Sequence, residues 1–311
     1  MNTAAFYSHG KLLLTGEYLV LDGALALALP VKYGQSLLVQ ERKAEELQWI
    51  AMQENGSWFE ALLSLPRLEI IRATDPVIAG NLQKLLLAAR SLNMDFPGIG
   101  RGLRVVTRLE FRREWGFGSS STLIANVAGW AEVNPFELHW SVSQGSGYDI
   151  ACALASGPLL YRAEGHKAVV TPVNFHPAFS ESLYFAYLGH KQDSAAGIET
   201  FRKKRALQDQ YLTDDITGIT NAILETRNLP EFSGLINRHE EIIGKLLDRT
   251  PIGKTLFKDF PGAIKSLGAW GGDFALIASD VGPEIVKAEL NKLGMKTIFT
   301  FDELVLRDKS D

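Results

Sequence analysis

From Leu12 to about Leu65 the apolar positions come in short runs, often alternating with polar ones: LLLTGEYLVLDG, ALALALPV, QSLLVQE, LQWIAMQ and WFEALLSL. Gly, Asn or charged turns separate the runs, and a period of two bounded by turn residues predicts the strands of a sheet. The period then changes. From about Pro76 to Leu92, Ile78, Leu82, Leu85 and Ala89 recur at helical spacing, which predicts a helix with one apolar stripe against that sheet. Leu103 to Phe111 returns to a strand pattern. Beyond a Gly/Ser turn at 116–121, Leu123, Val127 and Ala131, with Ile124 and Ala128 beside them, predict a helix with a buried face.

A second Gly/Ser turn at 145–147 leads into Asp149–Leu154, a short predicted helix ended by Gly157-Pro158. Strands near Leu159–Arg162 and Ala168–Val173 complete this first part. A boundary is expected near His176–Ser182. After it come a strand at Leu183–Leu188 and long polar helical stretches at 195–210, 213–227 and 230–249, whose charged faces read as solvated. The tail predicts a strand at Phe274–Ala278, a helix at Pro283–Leu293 capped by Gly294, and a strand at Thr297–Phe301. The pattern predicts an α+β protein of two domains, 1–178 and 179–311.

Composition agrees with two cores, since the chain has 311 residues and 46% of them are hydrophobic. A formal net charge of -4 with no basic block argues against nucleic acid or an anionic membrane as the main partner, so an anionic ligand must be met by a local site. Cys152 stands alone, which rules out an intrachain disulfide and reads as a small buried residue. The amino terminus, MNTAAFYSHGKLLL, lacks a secretory pattern, and no run approaches the roughly 18 apolar residues of a spanning helix, so a cytoplasmic protein is expected. A monomer and a homodimer are equally open. The six histidines show no HxxxH or HExxH spacing, so zinc is not expected.

Three glycine-rich turns fall at the start, middle and end of the chain. The central one, Gly116-Phe117-Gly118-Ser119-Ser120-Ser121, directly precedes a predicted helix, where free N–H groups and the positive end of the helix dipole favour an anion. Gly116 and Gly118 allow close backbone approach, and the serines add hydroxyl donors or a metal ligand. An ordinary serine N-cap explains the same segment. No GxxxxGK[ST] occurs, the central loop reads GxGxxS, and protein-kinase motifs are missing.

The segment His9-Gly10-Lys11-Leu12-Leu13-Leu14-Thr15-Gly16-Glu17-Tyr18 resembles the first motif of the GHMP kinase superfamily, the central loop resembles its ATP-binding motif, and Lys265-Ser266-Leu267-Gly268-Ala269-Trp270-Gly271-Gly272-Asp273-Phe274 is similar to its third. Order and spacing agree over nearly the whole chain. Gly145-Ser146-Gly147-Tyr148-Asp149-Ile150-Ala151 is similar to the GSGFDVA-like segment of the phosphomevalonate kinase branch, and its GYDIA string resembles that of a bacterial GHMP subgroup. The resemblance implies an N-terminal domain like domain 2 of ribosomal protein S5, a ferredoxin-like C-terminal domain, ATP and Mg²⁺ as cofactors, and a small acceptor of the mevalonate type or its phosphate. A mevalonate kinase and a non-catalytic homologue on the same fold remain as alternatives.

The resemblance also implies roles. Asp149 would accept the acceptor's hydroxyl proton, unless it only caps its helix. Lys11, read as part of the first glycine turn, would keep that aspartate ionised, unless it is a solvated surface lysine. Gly116 to Ser121 would hold the nucleotide phosphates. Ser120 would bind the metal, with Glu137, one residue out of register, as a second candidate. Glu17, Tyr18, Ser146, Gly147, Gly271 and Gly272 would line the acceptor, and Lys191 and Ser194 could pair an acidic one from the second domain. His9 replaces a usual proline, the central loop lacks its leading proline, and Trp270 interrupts the third glycine run. The indole would either narrow the acceptor site or point away from it.

Overall fold

The computed structural model describes residues 3–98, 101–189, 197–199, 201–202, 210–268, 270 and 272–307. Its secondary structure is α+β, and the chain divides into two compact units that are each discontinuous in sequence. The first takes residues up to Gly10, then 33–113 and 118–154. The second takes 11–32, 114–117 and everything from Ala155 onward. The boundary placed from sequence at 178/179 thus runs through the second unit, which also holds 155–178.

In the first unit, strands β3 (Glu46–Gln53), β4 (Gly56–Ser64), β5 (Ile70–Ala73) and β6 (Gly102–Leu109) join the end of β2 (Ala26–Arg42) in the order β5-β4-β3-β6-β2. Only β3 and β6 run parallel, with Leu47 opposite Leu103. Helix α1 (Pro76–Leu92) begins where the Asp75 carboxylate accepts the N–H groups of Val77 and Ile78, and it buries Ala79, Leu82, Leu85, Leu86 and Ala89. These residues share a core with Leu37, Trp49 and Phe59 of the sheet and with Val127, Leu138 and Ile150 of helices α2 (Ser119–Ala131), α3 (Pro135–Val142) and α4 (Tyr148–Leu154).

In the second unit the first residues of β2 pair with β7 (Leu159–Glu164), which pairs in turn with β8 (Lys167–Pro172). A separate antiparallel sheet has the order β10-β11-β9-β12, from Ala263–Leu267, Phe274–Ala278, Leu183–Tyr187 and Ile298–Thr300. Helices α5 (Gln210–Glu225), α6 (Leu229–Leu247), α7 (Pro283–Lys292) and α8 (Phe301–Leu304) accompany it.

Three sequence expectations change. Strand β1 (Thr3–Leu13) extends through Gly10 and Lys11 because it pairs with β2, so Lys11 lies on a strand rather than in a turn. Residues after Leu13 leave the strand, and Leu19–Asp22 forms a 3₁₀ turn closed by Gly23 at φ 87°. Phe301 starts a helix instead of ending a strand, because Thr300 and Glu303 form a reciprocal capping box.

Helix α6 is also less polar than its composition suggests. Phe232, Ile236, Ile243, Leu246 and Leu247 form its buried stripe, and His239 and Glu240 lie on the same face. Among the described residues, no helix is long and apolar enough to cross a membrane.

Candidate active site

The central glycine loop is seated by aromatic packing. Phe117 is fully buried and stacks on Phe274, the first residue of β11, at 4.8 Å and 20°, while Trp115 meets both rings edge-on. Between them Gly116 turns at φ 69°. A methyl group there would collide with the Asp273 carboxylate, which is itself only 4% exposed and lies 2.9 Å from where a side chain on Gly268 would begin. Lys11 holds the same loop twice: its backbone N–H donates to Phe117 O at 3.0 Å and its ammonium to Gly116 O at 2.8 Å. The lysine is 9% exposed, so it is no solvated surface residue.

Helix α2 then starts at Ser119 with Gly118 as its N-cap, in the left-handed conformation at φ 88° and with no side chain capping it. None of the three serines is the cap. Ser121 turns its hydroxyl back to Gly118 O at 2.8 Å, Thr122 donates to Gln35 Oε1 at 2.7 Å, and Ser120 is exposed. The N–H groups of an uncapped first turn, which has no partner within its own helix, suit an anion.

Asp149 is the second residue of α4 and half-buried, behind the buried Ser146 and Gly147, the latter at φ 93°. It lies inside the helix rather than at its cap position, and its Oδ1 accepts only the neighbouring Ile150 N–H at 3.1 Å. Glu137 is exposed on the first turn of α3, where its N–H donates to Asn134 Oδ1. Gly272 is buried. Lys191, Ser194 and Gly271 lie outside the described residues.

Glu17 is 1% exposed, and its carboxylate is in ion contact with the ammonium of Lys265, which is fully buried. Glu240 approaches the same ammonium at 3.9 Å and accepts the Trp270 indole N–H at 2.9 Å. Burial pushes the Glu17 carboxyl up to about 7 against the attraction of Lys265, and burial raises Glu240 as well. One buried cation faces two acids, so a proton on one of them is the least costly state.

His239, fully buried, is held well below its usual range by burial and by Lys265. Its Nε2 accepts the Gly16 N–H at 3.0 Å. The approach of Nε2 to Glu17 at 3.2 Å is therefore not an ion pair, because the ring is neutral and its lone pair is taken.

The next residue, Tyr18, adopts φ 62° and ψ -49°, the centre of a γ-turn closed by Leu19 N–H donating to Glu17 O at 2.7 Å. For a residue with a side chain this geometry costs on the order of 1–3 kcal/mol and persists only where its surroundings hold it. Its ring packs on Phe201 at 5.6 Å, and burial raises its hydroxyl pKa.

Over nearly its full length this architecture is found in solved small-molecule kinases. The Methanococcus jannaschii mevalonate kinase is 18% identical, with 99% of each chain covered and a TM-score of 0.72. The Streptococcus pneumoniae phosphomevalonate kinase, in complex with phosphomevalonate and AMPPNP, is 16% identical over 96% of this chain and 99% of its own, with a TM-score of 0.71. The Lactococcus lactis galactokinase complexed with galactose is 14% identical over 94% and 89%, with a TM-score of 0.65. The chain has the GHMP kinase fold. No family model matches the sequence, and no curated protein matches it in sequence.

On this GHMP kinase fold, the sequence reading assigns no role to Lys265 and Asp273, which stand in the third glycine motif, and does not single out His239 and Glu240. The signal for Lys265, His239 and Glu240 was present. Lys265 interrupts the apolar strand AIKSL, and His239 and Glu240 fall between Ile236 and Ile243 on the apolar stripe of α6. Asp273 gave no signal, because its role depends on a Gly116 that is distant in sequence.

Proposed function

We propose that this chain is an ATP-dependent phosphotransferase that transfers a phosphoryl group to a small acid of the mevalonate type, with phosphomevalonate as the preferred acceptor. The observation that carries the reading is the start of α2: a positive-φ glycine N-cap with no side-chain cap, followed by three serines of which Ser120 is exposed. A first turn with no side-chain cap suits phosphate oxygens. The GSGYDIA segment supports the acceptor, and the likeness of the fold to both a mevalonate kinase and a phosphomevalonate kinase keeps mevalonate as the alternative.

Phosphoryl transfer asks for alignment and charge neutralisation more than for covalent help. Gly116, Phe117, Gly118, Ser119, Ser120 and Ser121 would line the nucleotide phosphates, with the loop held in place by Lys11 through the Gly116 carbonyl. Asp149, half-buried and outside the cap position, is free to accept the acceptor's hydroxyl proton. Glu17 and Tyr18, with Ser146, Gly147 and Gly272, would shape the acceptor end, Glu17 acting from its buried position through Tyr18.

A magnesium ion fits the residues present. It keeps waters and phosphate oxygens in its shell and needs few protein ligands. Ser120 offers an exposed hydroxyl and Glu137 an exposed carboxylate, whereas no group of three His, Cys, Asp or Glu side chains could hold a metal by itself among the described residues. When bound, magnesium would neutralise charge on the transferring phosphate. An ATP-consuming enzyme with a single cysteine, Cys152, which is buried, fits the cytoplasm.

The test is an acceptor screen with Mg²⁺-ATP across mevalonate, phosphomevalonate, homoserine and several sugars, read as ADP release and product mass. Turnover with phosphomevalonate is expected. Turnover with mevalonate alone moves the assignment to the alternative, and release of ADP with none of them overturns the reading.

A further inference from the structure

The buried residues of α2 are apolar except for Ser121, Thr122 and Asn126. Thr122 and Asn126 lie one turn apart on the core face, at 0% and 1% exposure. Polar side chains in a core cost free energy unless they are hydrogen-bonded. Both of these meet the same residue of β2. Thr122 donates to Gln35 Oε1 at 2.7 Å, and the side-chain amide of Asn126 donates to Gln35 O at 2.8 Å. Gln35 is itself buried, and so is Ser8 of β1, which completes the network by donating to Asn126 Oδ1 at 2.9 Å.

This grip falls on the end of the helix that has least support of its own. The N-cap is Gly118, which has no Cβ to restrict it and sits at φ 88°, and no side chain caps the first turn. The turn is closed instead at the Gly118 carbonyl, which accepts the Thr122 N–H at 3.0 Å and the Ser121 hydroxyl at 2.8 Å. A carbonyl oxygen has two lone pairs, so both are taken. The single hydroxyl proton of Thr122, 3.2 Å from Gly118 O and 3.1 Å from Ser119 O, goes to the nearest acceptor, Gln35 Oε1. Ser121 spends its hydroxyl proton on the same support, so it can donate to an anion through its N–H alone.

Small apolar residues such as Ala125 and Ala128 would let the helix slide or turn by fractions of an ångström. Two directional bonds to one residue, made one turn apart, fix its rotation and its place along its own axis. We infer that Gln35 is a positioning residue for the nucleotide: from β2 it grips the first two turns of α2 and holds the Gly118–Ser121 turn in its anion-binding form before a ligand arrives. This rests on the phosphotransferase reading above, and it adds a residue of β2 that stands in none of the three glycine turns.

The central variant is Gln35→Met, which keeps the length of the side chain and removes its amide. Thr122→Val and Thr122→Ser bracket it, the first removing the hydroxyl at nearly constant shape and the second keeping it. Ser8→Ala is the control, because it cuts the same buried network at its far end and leaves both bonds to Gln35 in place. All are made in the full chain. Calorimetry with Mg²⁺-AMPPNP gives nucleotide affinity, hydrogen exchange follows the Thr122 amide with the α1 amides as internal reference, and steady-state kinetics give separate KM values for ATP and acceptor.

Gln35→Met and Thr122→Val should each weaken AMPPNP binding by about tenfold and quicken exchange at Thr122 by about tenfold, with α1 unchanged. The ATP KM should rise by a similar factor while the acceptor KM stays within about twofold. Thr122→Ser should recover most of the loss. Ser8→Ala should lower the melting temperature while AMPPNP affinity and exchange at Thr122 stay within about twofold of the parent. If Gln35→Met does not fold, Thr122→Val is read by the same criteria.

Unchanged AMPPNP affinity in Gln35→Met overturns the inference, and so does an equal loss of affinity in Ser8→Ala, which marks a merely structural network. A weaker affinity with unchanged exchange at Thr122 also overturns it, since the turn is then held without Gln35. If the parent protein binds no nucleotide, the functional reading fails, and exchange at Thr122 alone decides whether Gln35 holds the turn.

Discussion

Lys265 and Glu17 are 248 positions apart in sequence and form an ion pair that is closed to solvent, with side-chain exposures of 0% and 1%. Removing one partner of such a pair leaves an uncompensated charge in the interior, and two acids, Glu17 and Glu240, face this one cation. Lys265→Met should therefore destabilise the protein by roughly 3–5 kcal/mol. Combining it with Glu17→Gln should recover a large part of the loss. Denaturant unfolding of the two variants checks this, and a double variant no more stable than the single one would contradict the pairing.

The same cluster predicts a pH dependence with a definite sign. Glu17 has a folded-state pKa of about 7 against an ordinary 4.5, so between those values the folded chain keeps a proton that the unfolded chain has lost. Its contribution to stability is thus fully present below about 4.5 and is lost as pH rises to about 7. His239 acts oppositely, since its folded pKa lies well below 6.5 and protonation of the unfolded chain lowers stability as pH falls beneath that value. In the parent protein the two slopes offset each other. Glu17→Gln removes the first, so its stability relative to the parent should improve from pH 4.5 to 7, by up to about 3 kcal/mol. A stability difference that is flat across this window would mean that Glu17 does not titrate there.

The parts of the site that chemistry makes local were legible in the sequence, and the parts that depend on distant partners were not. Gly118 and the serines after it could be read as the start of a helix from six residues, and the helix begins there with Gly118, not a serine, as its N-cap. Helix α1 and strand β11 fall where the apolar period places them. Lys11 was assigned to a turn because Gly10 looks like punctuation, whereas pairing of β1 with β2 carries the strand through it. Residues 230–249 looked polar because composition was weighed over period. On α6, His239 and Glu240 occupy core positions and find partners on the Gly16-Glu17 loop, β10 and Trp270, which no local pattern reveals.

Asp149→Asn keeps the size of the side chain and the oxygen that accepts the Ile150 N–H, so α4 should form normally. What it removes is the basic site for the acceptor's proton. Turnover should fall by about 10²–10⁴-fold while nucleotide affinity, measured by calorimetry, stays within about twofold. Full activity in this variant would take Asp149 out of the mechanism.

Gly116 supplies the sharpest test of the nucleotide end. A methyl group there meets the Asp273 carboxylate, and that carboxylate is backed by Gly268 and only 4% exposed, so it has no direction in which to yield. The positive φ of 69° adds strain of its own for any side chain. Gly116→Ala must therefore displace the loop, and with it the carbonyl that Lys11 holds at 2.8 Å. The ATP KM should rise by about tenfold or more, with the acceptor KM nearly unchanged. Gly118→Ala, where φ is 88° at the head of α2, should act in the same direction. Both variants place a side chain at a positive φ, so a lower melting temperature is expected together with the kinetic defect. A large fall in melting temperature with an unchanged ATP KM would show that the loop is a packing feature and that the triphosphate is held elsewhere.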